Sequence, residues 1–248
     1  MELNNSNMSS DLYNEFTGLR EDGRTPDQIR IIEAKVGAVS GCTGSSHFKI
    51  GQTEIIAQVF GPRESSSSSE ETEINVTFEY ATFAKCPHSV DVSQKRRGRE
   101  SEVFLQRTFE TAIDPNYRNI NPRSRIDICV NVIQDDGSCQ SAAVNAVTLA
   151  LIEAGIPMRD FVVSISVVYI GEKNDQALCF LDAGRRENSP HFPLLELCLF
   201  PSTTEILSIT TTSRIRPEIA QSMIDAAIKG CKTIKSELEN VLRNFTKI

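Results

Sequence analysis

The chain contains no tryptophan, and aromatic residues make up only 6% of its 248 positions. A core with so few rings must rest on Ile, Leu, Val and Ala. No run of roughly 18 apolar residues occurs, so no membrane span is expected. The opening stretch MELNNSNMSSDLYNEF lacks an apolar centre, so no secretory signal is expected and residues 1–18 read as a disordered tail. Seven cysteines stand at 42, 86, 129, 139, 179, 198 and 231, but no two have CxxC spacing. That excludes a zinc site or a disulfide framework and points to buried, reduced thiols in an intracellular protein. His47, His88 and His191 are scattered, with no metal-binding spacing, so no metal site is assigned. A formal charge of −7 argues against indiscriminate coating of nucleic acid and leaves room for a local basic groove.

What the chain does have is a sequence of strand and helix patterns. Asp22-Gly23 marks a turn ahead of the strand-like Ile31 to Val36. His47–Ile50 and Thr53–Phe60, joined by Gly51-Gln52, read as a β-hairpin. The low-complexity ESSSSSEETE makes Ser65–Ser69 a mobile loop. Ile74, Val76, Phe78 and Tyr80 share one face of a strand. Lys95–Arg99 read as a basic turn, and from Glu100 the residues Val103, Phe104, Leu105, Phe109 and Ile113 follow a helical spacing. RSRIDICVNVIQ alternates as a strand, and a small-residue helix is expected from about Ser138 to Ala154, stopped by Gly155 and Pro157. DFVVSISVVYIG, the two flanks of LDAGRRENSPHFP, and TEILSITTTSRI are further strands. Pro217 to Phe245 is a long amphipathic helix with proline in its first turn. Strands and helices are mixed without strict alternation, which predicts an α+β fold and a single domain over residues 19–248.

Five stretches occur in order: DGRTPDQIR, IGQTEIIAQVFGPRE, LQRTFETAI, PRSRIDICVNVIQDDGS and AVNAVTLALIEAGIPMRDFV. On these the chain resembles the RNase PH family, from about Arg20 to the C-terminal helix. The resemblance implies an RNase PH-like fold of two pseudo-repeated β-sheet/helix units with a long C-terminal helix, and a hexameric ring of homologous subunits. Active members cut RNA from its 3′ end with inorganic phosphate and release nucleoside diphosphates. In eukaryotic exosome rings most such subunits only hold and thread RNA. RNA, other RNase PH-like exosome subunits, and cap proteins with OB-fold and KH domains are the partners so implied. DNA and membranes are not among them. Nucleus, nucleolus and cytoplasm are the implied locations, with processing of ribosomal RNA among the roles.

Phosphorolysis needs donors for two crowded phosphates, an acid or a metal at the departing ribose oxygen, and an in-line 3′ end. Gly137 allows a tight backbone, Ser138 can cap the helix, and free amides there favour an anion. Active members of the family continue with Thr-Arg. Here Cys139 and Gln140 stand in those places, and neither is charged. Gly137, Ser138, Cys139 and Gln140 therefore read as a degenerate phosphate turn, or as a bare strand-to-helix connection. Arg96 and Arg97 fall where the family places an arginine pair on RNA phosphates; the bland alternative is a solvated charge run. Asp182 occupies the first of two acid positions and is the candidate catalytic acid. Asn188 occupies the second, and its amide can neither give up a proton nor bring charge to a metal. Arg63 and Arg123 could touch RNA or as easily pin a strand end, Arg185 and Arg186 are either RNA contacts or surface charges, and Asp22 with Arg24 reads as a structural ion pair or turn. The first expectation is a ring subunit that scaffolds and threads RNA without catalysis and without a cofactor. The alternative is a phosphorolytic exoribonuclease using Asp182 with a partner subunit, inorganic phosphate and Mg²⁺. A stand-alone RNA-binding monomer fits the acidic charge poorly.

Overall fold

The computed structural model describes residues 13–14, 17–64, 72–84, 92–120, 123–173 and 176–246. The expected loop at Ser65–Ser69, Cys86, His88 and residues 1–12 of the expected tail lie outside these. Strand β1 (Tyr13–Asn14) pairs with β2 (Leu19–Arg20), so the chain is tied down before residue 18. The cause is Tyr13, which is buried with its ring 5.6 Å from that of Phe180.

The hairpin of β4 (Gly44–Ile50) and β5 (Thr53–Glu64) seeds the first sheet, with Ile50 opposite Thr53. Gly51 supplies the φ of 58° that its short turn requires. β3 (Ile32–Val36), β6 (Glu73–Tyr80) and β7 (Ser124–Gln134) complete the order β3-β4-β5-β7-β6. Only the β6–β7 pair is parallel among these described strands, and parallel neighbours need a crossover. Helices α1 (Val92–Ala112) and α2 (Pro115–Ile120) provide it. Ile55, Ala57 and Val59, like Ile126, Ile128, Val130 and Val132, bury one face of the sheet at a period of two.

The second sheet is antiparallel, in the order β11-β10-β8-β9, from β8 (Val163–Lys173), β9 (Gln176–Leu181), β10 (Leu194–Phe200) and β11 (Glu205–Thr211). Between the sheets runs α3 (Cys139–Glu153), touching β4 and β5 on one side and β8 and β10 on the other. Apolar all round, it buries twelve residues and carries no solvent stripe. Asn145 fastens it to β8 through two 3.0 Å hydrogen bonds with the backbone of Ser164. The long α4 (Pro217–Thr246) packs on β8 and β9 through a stripe of Met223, Ala227, Cys231, Ile234 and Leu238. Two sheets with their helices and a long C-terminal helix are the expected units.

Two features depart from the sequence reading. Lys95–Arg99 are helical, inside α1, not a turn. Lys and Arg are good helix formers, and Gly98 serves contact: a Cβ there would stand 3.1 Å from the carbonyl oxygen of Phe78 on β6. The short α2 was not expected. It starts where Asp114 Oδ1 accepts the Asn116 amide at 2.9 Å, with Pro115 as its first residue.

Candidate RNA and phosphate site

The turn from β7 into α3 is held by hydrogen bonds with its own Asp135 carboxylate and with Thr53 of β5. Asp135 Oδ1 accepts the Gly137 amide at 3.1 Å, an Asx turn. Thr53 Oγ1 accepts from Asp136 N at 3.1 Å and donates to Gly137 O at 2.8 Å. Gly137 has φ 96°, and a Cβ there would lie 2.5 Å from Ala183 O, so only glycine lets the turn meet the loop after β9. Ser138, in the left-handed region at φ 54°, does not cap α3. Its hydroxyl is buried and donates to Ala183 O at 2.9 Å, beside Ser166 Oγ. The turn and the loop of Asp182 are thus locked together.

The charges at this junction do not point outward. Asp182, with a side chain 1% exposed and φ 53°, is gripped by Arg30. Arg30 Nε and Nη2 each lie 2.7 Å from its carboxylate oxygens, and the Arg30 backbone amide adds a third bond at 3.0 Å. The same guanidinium reaches Asp136 O and Gly137 O at 3.1 and 3.3 Å. Arg24 stands behind, 3.5 Å from Asp182 and paired with Asp22. Burial by itself would raise the Asp182 carboxyl; the Arg30 hydrogen bonds and charge, with Arg24, outweigh it and hold the group below the usual carboxylate range. An ionised carboxylate held this way has no proton to give. With both oxygens engaged and the uncharged, exposed Asn188 as its companion, it is also a poor cation ligand.

Next to this pair lies another, also buried. Arg20 Nε donates to Glu187 at 2.8 Å and Arg20 Nη1 to Leu181 O at 2.7 Å. Glu187 in turn accepts the Gly184 amide at 2.8 Å. Two buried ion pairs therefore shape the loop that carries Asp182.

On its other flank the turn meets acidic and neutral groups. Cys139 is buried beside Tyr80, whose phenol is pushed far up by burial and by the neighbouring Cys139 and Asp135. Gln140 accepts a hydrogen bond from Ser101 of α1 at 3.3 Å. Glu196 of β10, opposite Ser166, is pushed up to about 7 by burial and by Asp135. A groove of about 370 Å³ opens over Asp136 and Gly184, rimmed by Glu21, Asp22, Arg185 and Arg186, with charges of both signs.

Of the residues singled out from sequence, Asp182, Gly137 and Ser138 meet at one junction, and Cys139 and Gln140 begin the helix beside it. Arg96 and Arg97 lie exposed on the first half of α1, where Arg96 pairs with Glu100 at 3.3 Å. Arg186 pairs with Glu21 on the rim of the groove. Arg63 lies over the Phe60 ring at 5.1 Å, and Arg123 is an exposed residue at φ 59° leading into β7. His47 pairs with Glu54 on the first sheet, and His191 is exposed. Arg30, Thr53, Asp135 and Glu196 were not picked out from sequence. The Asp135-x-Gly137 spacing signals an Asx turn, but nothing local marks Arg30, whose partner is 152 residues away.

The model of the 3′ exoribonuclease family, domain 1 (RNase PH), matches residues 28–157, a span that holds Arg30, α1 and the phosphate turn. The exosome complex component RRP41 of Homo sapiens is 31% identical over 235 residues, 93% of each chain. The RRP41 homolog of Arabidopsis thaliana is 33% identical over 234 residues, 93% of this chain and 94% of its own. The crystal structure of rice (Oryza sativa) Rrp46 superposes with a TM-score of 0.76 at 23% identity, over 90% of this chain and all of that one, and shares the fold. With the two-sheet architecture and the Asp-Asp-Gly-Ser turn in place, these likenesses make the chain a member of the RNase PH family.

Proposed function

We propose that this chain is a ring subunit of an RNA exosome that holds and threads RNA without cutting it. The relatives that match it over most of its length carry the name of an exosome component. Its partners on this reading are other RNase PH-like subunits in a hexameric ring, cap proteins with OB-fold and KH domains, and RNA passing through. The nucleus, with its nucleolus, and the cytoplasm are where such a ring would work, in RNA processing and decay.

The observation that carries the non-catalytic part is the Arg30–Asp182 clamp beside a turn that brings no cation of its own. The candidate acid is ionised and enclosed, and Cys139 and Gln140 bring no cation to the amides of α3. Phosphate attack would require both a counter-charge and a proton donor, and Asp135 adds negative charge to the same flank. The test is phosphate-dependent release of nucleoside diphosphates from a 3′-tailed RNA, by this chain assembled with its RNase PH-like partners and supplied with Mg²⁺. No release is expected, and Asp182→Asn should leave that unchanged. Release by the unmodified assembly that Asp182→Asn abolishes would make Asp182 a working acid and the chain an exoribonuclease.

A further inference from the structure

Phe83 stands with 60% of its surface in water. A lone exposed apolar side chain is ordinary, so its neighbours decide whether it means anything. Ala81 N donates to Val132 O at 2.9 Å, and Ala84 N to Ala81 O at 2.9 Å, which closes a four-residue turn with Phe83 in third place. Asp135 N then donates to Ala84 O at 3.0 Å. The ring is therefore carried on a turn fastened to the end of β7 and to the first residue of the phosphate turn.

The cations of α1 lie at the same end of the sheet. Gly98 presses on Phe78 O, Glu102 accepts the Phe78 amide at 3.1 Å, and Ser101 bonds Gln140. Lys95, Arg96, Arg97 and Arg99, all exposed, come just before these contacts and so stand near the C-terminal end of β6, from which the Phe83 turn springs. Of the other large apolar side chains in water among the described residues, Val103 lies further along α1, past the cations, and Ile31, Ile206, Ile209 and Phe245 belong to other elements. Among the described residues, what stands nearest to this exposed ring along the chain's fold is the run of cations at the start of α1, the combination that a charged, base-bearing partner fits better than an apolar one.

We propose that Phe83 is a stacking platform for one base of single-stranded RNA whose phosphates lie along the exposed cations of α1. The pairing of aromatic faces with a cationic track is what single strands need, because every base has a π-face and every link a phosphate. Phe offers no hydrogen bond, so it reads no base and suits a subunit that passes RNA of any sequence. A ring held on a short hydrogen-bonded turn loses little freedom when a base stacks on it. The inference rests on the RNA-threading reading above.

The test compares the assembled ring carrying wild-type chain, Phe83→Ala or Phe83→Tyr, by fluorescence anisotropy over a salt series. One RNA is a 3′-tailed single strand; the other has the same length with an abasic tail. Phe83→Ala should weaken binding to the first RNA by about tenfold, within the roughly 5- to 150-fold expected for a lost base stack. The salt slope should not change, since no phosphate contact is lost. Phe83→Tyr should bind as wild type, and the abasic RNA should bind all three alike. Equal affinities of wild type and Phe83→Ala for the first RNA would overturn the stacking role and leave the threading reading standing. A wild-type ring that binds no RNA would overturn both. Failure of Phe83→Ala to assemble, seen by sedimentation, would overturn it in favour of a subunit interface.

Discussion

At the residue scale the site is governed by where carboxylates find partners. Asp182 has Arg30 and Arg24 and stays ionised. Glu196 has Asp135 for a neighbour and is pushed the other way, from an ordinary 4.5 to about 7. A carboxyl whose folded pKa is raised opposes folding wherever the unfolded chain ionises it first. Below about pH 4.5 Glu196 is protonated in both states and costs nothing. Stability falls as pH rises from there to 7, and above 7 the full cost is in place. Glu196→Gln keeps the shape and removes the charge, so it should stabilise the protein by about 2–3 kcal/mol at pH 8 and by almost nothing at pH 4.5. Urea melts of both proteins at the two pH values check this; an equal effect at both would mean that the Glu196 carboxyl is solvated.

At the scale of elements, α3 is the part on which the candidate site depends, since its first residues follow directly on the Gly137-Ser138 turn. Its seat against β4 rests on Gly44, where a Cβ would lie 2.2 Å from Ala150 O and 2.6 Å from Ala154 N. Those are backbone atoms and cannot swing aside. Gly44→Ala should therefore cost about 3 kcal/mol by overpacking, read as a lower denaturation midpoint, with a lesser loss for Gly23→Ala in an exposed turn that has nothing within 4 Å. An unchanged midpoint for Gly44→Ala would mean that α3 sits further from β4. Strand and helix patterns with a clean period, such as β7 and α4, were legible in the sequence, because burial on one face writes itself into the spacing of Ile, Val and Leu. The N-terminal half of α1 was not. Lys95–Arg99 carry no apolar period, and Gly98 mimics a turn while serving a contact with a distant strand. The tight strand-to-helix turn was legible from Gly137, though Ser138 does not make the expected cap; the Arg30 clamp was not legible, because it forms between segments that only the closed fold brings together.

For the molecule as a whole, the distribution of charge matters more than its total. The chain is acidic at −7, yet four cations stand exposed within five residues at the start of α1. On the proposed threading role these residues would supply the counter-charge for RNA, while a turn without a cation and the locked Asp182 would leave the strand uncut. Two of the four, Arg96 and Arg97, are exposed, and among the described residues Arg96 has the weak i,i+4 partner Glu100 to lose. Replacing both by glutamate should therefore leave folding intact and act on RNA alone. Each phosphate contact on a single strand contributes about 0.7 to the slope of log affinity against log salt, so losing two should flatten the slope by about 1.4. Binding at low salt should fall most, and the loss should shrink as salt rises and the wild-type advantage is screened. A salt titration of the assembled ring with a single-stranded RNA gives the slope directly. A double variant with wild-type affinity and slope would show that the RNA path runs elsewhere and that the α1 charges are merely solvated. A variant that loses affinity with its slope unchanged would show that the substitutions act through structure and not through phosphate contact.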